Sequence, residues 1–265
     1  MIEVAVAPPH PAPFPGLLPD AYEGRPGLLG LNDGLAEKLR VQNVGLCTYS
    51  PRQDRDLTDV PITDFGDLQV PDLATVTPNS TTPDLSSVLA AAVQTLMGTK
   101  TLPVILGQAR HLLPGVVQGL LPIVPDLSLV QVSAHADFEP ISDDSAENSV
   151  ISLTATMINE AKIRSFGVRN GSRDAFAKVQ DQLPGRGPLA LAFDFSVFEP
   201  SLVPVARPDA GGWGWANFES FLAEFPWERT KVCVLTGLDA QRDHNQGFAA
   251  KVLREILLKV SPQEA

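Results

Sequence analysis

The stretch VQVSAHADF, residues 130–138, decides how the chain is read. A run of apolar and β-branched residues closes on His135 and Asp137, two positions apart, so on a strand both side chains leave the same face. In an open α/β sheet the carboxyl end of a buried strand is where ligands gather. A strand-end His and Asp also serve as an ordinary hydrogen-bonded pair, and the neighbouring strands decide between the two readings.

Immediately upstream, residues 102–106 form a continuous apolar run stopped at Gly107. The helical pattern 112–121 follows it and leads into the strand 127–132. Strand, helix and strand at this spacing make a βαβ unit, which implies parallel pairing and a right-handed crossover. Further strands are expected at 2–7, 44–49, 64–68, 163–168, 188–195 and 232–235. Helices are expected at 85–97 with Asp84 as N-cap, at 149–161, 175–182, 218–225 and 248–259. Leu28, Leu31, Leu35 and Leu39 recur at three- and four-residue spacing, which predicts one more helix over 28–39. The Thr-, Pro- and Asp-rich segment 51–83 and the Pro/Gly-rich segment 196–215 read as loops. The expected fold is a single α/β domain over residues 1–265, a three-layer α/β/α sandwich with a largely parallel sheet.

Composition narrows the partners. A formal net charge of -11 at pH 7 repels phosphate backbones and anionic lipid, and no Lys/Arg cluster offsets it, so nucleic acid and membrane insertion are set aside. The two cysteines, Cys47 and Cys233, sit in apolar, strand-like contexts with no CxxC pattern, as buried free thiols do. An intracellular, reducing compartment is expected: the cytoplasm, or an organelle matrix if a transit peptide has been removed.

Taken together, the strand ends resemble those of the ureohydrolases, the arginases and agmatinases, collinearly over nearly the whole chain. Gly24-Arg25-Pro26 is similar to that family's opening G-x-x-x-G-P. Asp64-Phe65-Gly66-Asp67 resembles its D-x-G-D, and the strand ending at Gly107 its G-G-D-H strand. Ser133-Ala134-His135-Ala136-Asp137 is similar to D-A-H-x-D, Phe166-Gly167-Val168-Arg169 to I-G-x-R, and Asp194-Phe195-Ser196 to D-x-D. The resemblance implies an arginase-like fold. It also implies two manganese ions at the strand ends, bridged by carboxylates and a hydroxide that attacks a guanidinium carbon.

Residue by residue, only part of that set is present. His135, Asp137 and Asp194 match. Ser133 stands for the bridging aspartate, Ser196 for the second aspartate of D-x-D, and Arg110 for the histidine of G-G-D-H, with His111 one residue on. Thr236 stands where the substrate-binding acid would be. Two vicinal dications without a bridging carboxylate repel strongly, so the binuclear centre is expected to be lost. A guanidinium plug is expected instead, with Arg110 and Arg242 paired to Asp137 and Asp194. The alternative has Arg110 in solvent and Asp137 capping a helix or accepting backbone amides.

The expectation is therefore a catalytically inactive ureohydrolase-like protein with no catalytic residues and no cofactor. It would act as an interaction, regulatory or structural subunit of a homo-oligomer or of a complex with a protein partner. Two alternatives stand beside it. One is a divergent hydrolase of an amidine or amide C–N bond with one Mn2+ at His135, Asp137 and Asp194. The other is a binding protein for a small anionic metabolite.

Overall fold

The computed structural model describes residues 26–31, 36, 48–68, 85–141, 149–243 and 247–261. Seven parallel strands form its central sheet: β1 (Pro26–Leu31), β4 (Thr63–Leu68), β5 (Leu102–Leu106), β6 (Ser128–Val132), β7 (Ile163–Phe166), β8 (Leu189–Asp194) and β9 (Thr230–Thr236). Their order across the sheet is β4-β1-β5-β9-β8-β6-β7. A small antiparallel pair, β2 (Tyr49–Ser50) and β3 (Arg55–Asp56), lies apart.

The continuous apolar runs are explained by cover on both faces. On β5, β8 and β9, Val104, Leu106, Leu191, Phe193, Cys233 and Leu235 face one core. Their neighbours Ile105, Ala190, Val232 and Val234 face the other. This period of two, with both sides apolar, marks a sheet sandwiched between helices. On one face lie α1 (Leu85–Gly98), α2 (Leu113–Leu120) and α3 (Val150–Ala155). Here α1 and α2 approach so closely that a Cβ on Gly119 would stand 2.6 Å from the Ala90 carbonyl oxygen. On the other face, α5 (Trp215–Glu224) and α6 (Phe248–Val260) pack in an aromatic cluster around Phe193, Phe198 and Phe218. The short α4 (Arg173–Phe176) follows β7 and is capped by the Ser172 hydroxyl, which accepts from the Ala175 amide at 3.2 Å.

The helix expected over 28–39 fails at its start, and of the rest only residue 36 lies among the described residues. Residues 28–31 belong to a strand, not to a helix, because β1 lies between β4 and β5 with every residue buried. A strand covered on both faces lacks alternation, so chance leucine spacing imitated a helical stripe. Gly27 and Gly30 suit that interior: a Cβ on Gly27 would meet the Phe65 ring at 2.9 Å, and one on Gly30 the Asp67 carboxylate at 2.1 Å. The helix expected over 149–161 ends at Ala155, and that expected over 175–182 shrinks to α4. The expected strand at 2–7 and the Asp84 N-cap lie outside the described residues, as does most of the expected strand at 44–49. No helix among the described residues is long and apolar enough to cross a membrane.

Candidate functional site

Because β5, β9, β8 and β6 are adjacent and parallel, their carboxyl ends open on one edge of the sheet. The 3-10 turn after β5 supplies Arg110, β6 runs into Ser133, His135 and Asp137, β8 ends at Asp194, and β9 ends at Thr236. Residues up to about 125 positions apart in sequence thus meet in one cleft by topology alone.

At its centre is a charge cluster. Nη1 of Arg110 donates to both oxygens of Asp137, at 2.9 and 2.7 Å, and its Nε lies 3.2 Å from Oδ2 of Asp194. The two carboxylates are 2% and 5% exposed and the arginine 11%, so the guanidinium is the cation that offsets two buried anions. Asp194 also accepts from the Ser196 amide at 2.7 Å and the Thr236 hydroxyl at 3.2 Å. Ser133 and Ser196 stand 3.4 Å apart, hydroxyl to hydroxyl, and engage the amides of His135 and Ala134. Arg242 takes no part: it is 72% exposed and paired with Asp239 at 2.8 Å, three residues back on the turn that follows β9. That local partner holds it outside the cleft, which corrects the expected second arginine.

Asp137 adopts a left-handed backbone, φ 53°. Aspartate tolerates this region better than most residues. The twist lets its carbonyl accept the amides of Ile151 and Ser152 at the start of α3, while its carboxylate turns to Arg110. Acceptance of backbone amides and charge pairing, expected as alternatives, are both present.

Two contributors carried no clear signal in the sequence. Gln131, inside β6, donates from Nε2 to Asp137 at 3.1 Å and to the His135 carbonyl at 3.1 Å, and its Oε1 accepts from the Ser165 hydroxyl. Its one trace is a polar residue within a buried apolar strand. Gly237, φ 85°, stands directly behind Asp194, where a Cβ would lie 2.3 Å from the carboxylate.

The imidazole of His135 is 3% exposed. Its Nε2 is 3.2 Å from the carbonyl oxygen of Arg207, and its Nδ1 is buried without a hydrogen-bond partner. Burial, with the Arg110 and Arg207 charges nearby, pushes its pKa down to about 4. The ring is neutral; donating from Nε2 to a carbonyl leaves a lone pair on Nδ1. Burial lifts Asp137 to about 6 against the pull of Arg110, with Asp194 adding to the rise.

These two shifts oppose each other in pH. Asp137 keeps its proton to about pH 6 in the fold and to about 4 in the unfolded chain, so the fold loses stability as pH rises through that window. His135 loses its proton at about 4 in the fold and about 6.5 unfolded, so the fold gains stability as pH rises through nearly the same window. Stability measured by urea unfolding in EDTA is therefore expected to be nearly flat between pH 4 and 6. His135→Gln should make it fall as pH rises, and Asp137→Asn should make it climb, each by roughly 3 kcal/mol across the window.

The donor set tests what could be held here. Among the described residues no three His, Cys, Asp or Glu side chains are gathered as a ready metal site. Two ions do not fit, because Ser133 and Ser196 offer no bridging carboxylate. One hard divalent ion does fit the donor types: the orphaned Nδ1 lone pair of His135 and the carboxylates of Asp137 and Asp194, provided Arg110 withdraws.

Comparison with known proteins bears on this directly. The Arginase family model matches residues 25–182. The agmatinase of Bacillus subtilis (strain 168) is 26% identical, with 83% of each chain covered. The crystal structure of the agmatine ureohydrolase of Thermoplasma volcanium superposes with a TM-score of 0.74 at 18% identity, covering 89% of this chain and 90% of that one. A Trypanosoma cruzi formiminoglutamase variant, solved with Mn2+, gives a TM-score of 0.68 at 14% identity over 88% of this chain and 92% of that one. Two expectations are corrected. The matched proteins are named as enzymes, which overturns the reading of a non-enzyme. The family match, together with a structural neighbour solved with Mn2+, overturns the expectation of no cofactor.

Proposed function

Because the chain belongs to the Arginase family, we propose that it hydrolyses a C–N bond of an amidine or guanidine group, with one divalent ion held by His135, Asp137 and Asp194. The observation that carries this reading is Nδ1 of His135, a buried lone pair with no partner, on the strand end that also presents Asp137. An unpaired buried acceptor costs free energy unless a ligand takes it. When bound, the ion would supply Lewis acidity and lower the pKa of a coordinated water.

The residues of the chain do the positioning. The Arg207 carbonyl fixes the tautomer of His135, as an outer-shell acceptor does for a ligating imidazole. Gln131 orients Asp137, while the Ser196 amide and Thr236 orient Asp194. Arg110 occupies the same carboxylate oxygens, so the guanidinium and the ion exclude one another. Arg110 therefore sets how readily the site fills.

Protein purified with Mn2+ is expected to carry one ion per chain by elemental analysis and to release urea from a guanidine substrate or ammonia from an amidine. His135→Ala should lose the ion and at least about 100-fold in turnover, the upper end of what loss of an outer-shell partner alone costs. Purified chain that retains no metal and releases neither product would defeat the proposal.

A further inference from the structure

The backbone of Arg169 is fixed to the strand end that carries His135, its amide donating to the Ala134 carbonyl at 2.8 Å. Its guanidinium, 15% exposed, reaches into the loop between β8 and α5 and meets both legs of it. Nη2 donates to the carbonyls of Ser196 at 2.8 Å and Asp209 at 2.6 Å, Nη1 to that of Val197 at 3.1 Å, and Nε to that of Ala210 at 3.0 Å. The Asp209 carboxylate stands farther off, 3.5 Å from Nε. A rigid planar fork with five N–H donors is the side chain that can hold several carbonyls at once.

A stiff link joins this clamp to the site. Arg207, whose carbonyl accepts from Nε2 of His135 at 3.2 Å, is connected to Asp209 through Pro208. The proline ring fixes its own φ and confines Arg207 to extended backbone. Where Asp209 is held, the Arg207 carbonyl is therefore held too. The other leg reaches the second carboxylate, because Ser196 gives its carbonyl to Arg169 and its amide to Asp194, the latter at 2.7 Å.

We propose that Arg169 is a positioning residue for the site: by clamping both legs of the loop it holds the Arg207 carbonyl against His135, which keeps the imidazole proton on Nε2 and the lone pair on Nδ1. The inference rests on the hydrolase reading only for the use of that lone pair. Glu199 ties the same legs a second time, accepting the Gly211 and Gly212 amides at 3.0 Å. Loss of Arg169 thus loosens the loop around Arg207 without opening the whole of it.

Nitrogen-15 NMR of the histidine-labelled full chain in EDTA reads the tautomer at about pH 8, above the ordinary histidine range. His135 is assigned by the signals lost in His135→Gln. The parent protein is expected to show Nε2 protonated and Nδ1 bare, and Arg169→Met a mixture of the two tautomers. Calorimetric titration with Mn2+ should show about tenfold weaker binding in that variant, the effect of losing an outer-shell partner. Arg169→Lys, which keeps the charge and three donors, should restore part of both. Pro208→Gly breaks the link and leaves the clamp: the tautomers should mix while the melting temperature falls by no more than about 2–4 °C. That variant decides the matter if Arg169→Met does not fold. A single Nε2–H tautomer retained in Pro208→Gly, or in folded Arg169→Met, overturns the proposal and leaves Arg169 a purely structural clamp. Tautomer mixing in the variants of a chain that binds no Mn2+ and releases neither urea nor ammonia would keep the clamp and remove the hydrolase reading; Mn2+ binding and product release with a tautomer that never changes would do the reverse.

Discussion

Replacing Arg110 by methionine is expected to cost the metal-free protein about 3–5 kcal/mol, because it leaves two buried carboxylates facing each other without their cation. Asp137 and Asp194 share that guanidinium at 2.7 and 3.2 Å, and the neutral donors Gln131 and Thr236 cannot offset their repulsion. The same variant should bind Mn2+ at least about tenfold more tightly, since the internal competitor for the carboxylates is gone. Urea unfolding in EDTA and in millimolar Mn2+ reads both effects: a large loss in the first and recovery in the second. If stability in EDTA and Mn2+ affinity both match the parent protein, Arg110 is not the resident cation.

The second large effect is expected at Gly237. Its φ of 85° disfavours any side chain, and a Cβ there would stand 2.3 Å from Oδ1 of Asp194 and 2.6 Å from its Cγ. Gly237→Ala therefore combines backbone strain with eviction of a buried carboxylate, and a loss of at least about 3 kcal/mol is expected, together with metal binding. Gly211→Ala is the control. Its φ is 80°, but nothing lies within 4 Å of the added Cβ, so only the strain, about 1 kcal/mol, should appear. The difference between the two variants measures what Asp194 contributes in place. Equal losses would mean that the carboxylate moves aside freely.

Much of the fold was legible because a parallel sheet writes each buried strand as a short apolar run stopped by glycine or an acid. Residues 102–106 and 127–132 showed this plainly, and the β6 end then located the cleft. β1 escaped because its leucines also fit a helical stripe, and only its neighbours on both sides decide the matter. At the site, residues of distinctive chemistry on strand ends, His135, Asp137, Asp194 and Arg110, were readable as a group. Arg242 was misassigned because charge sign alone placed it, whereas a local partner, Asp239, holds it outside. Gln131, Arg207 and Gly237 escaped for a different reason: each matters through a contact made by tertiary packing, and glutamine in a strand or glycine after one has many ordinary uses. The reading of a non-enzyme rested on counting lost carboxylates, and it is overturned by the matched proteins, which are named as enzymes.

Cys233 gives the molecule its own clock. The thiol lies in the middle of β9 with no accessible surface, and burial raises its pKa far above the ordinary range. A thiol reagent can reach it only when the central sheet opens. In a chain whose other cysteine, Cys47, is replaced by serine, the labelling rate counts openings of the sheet directly. Slower labelling on adding Mn2+, set against the rate in Arg110→Met, would time how the two cations exchange without any substrate being known.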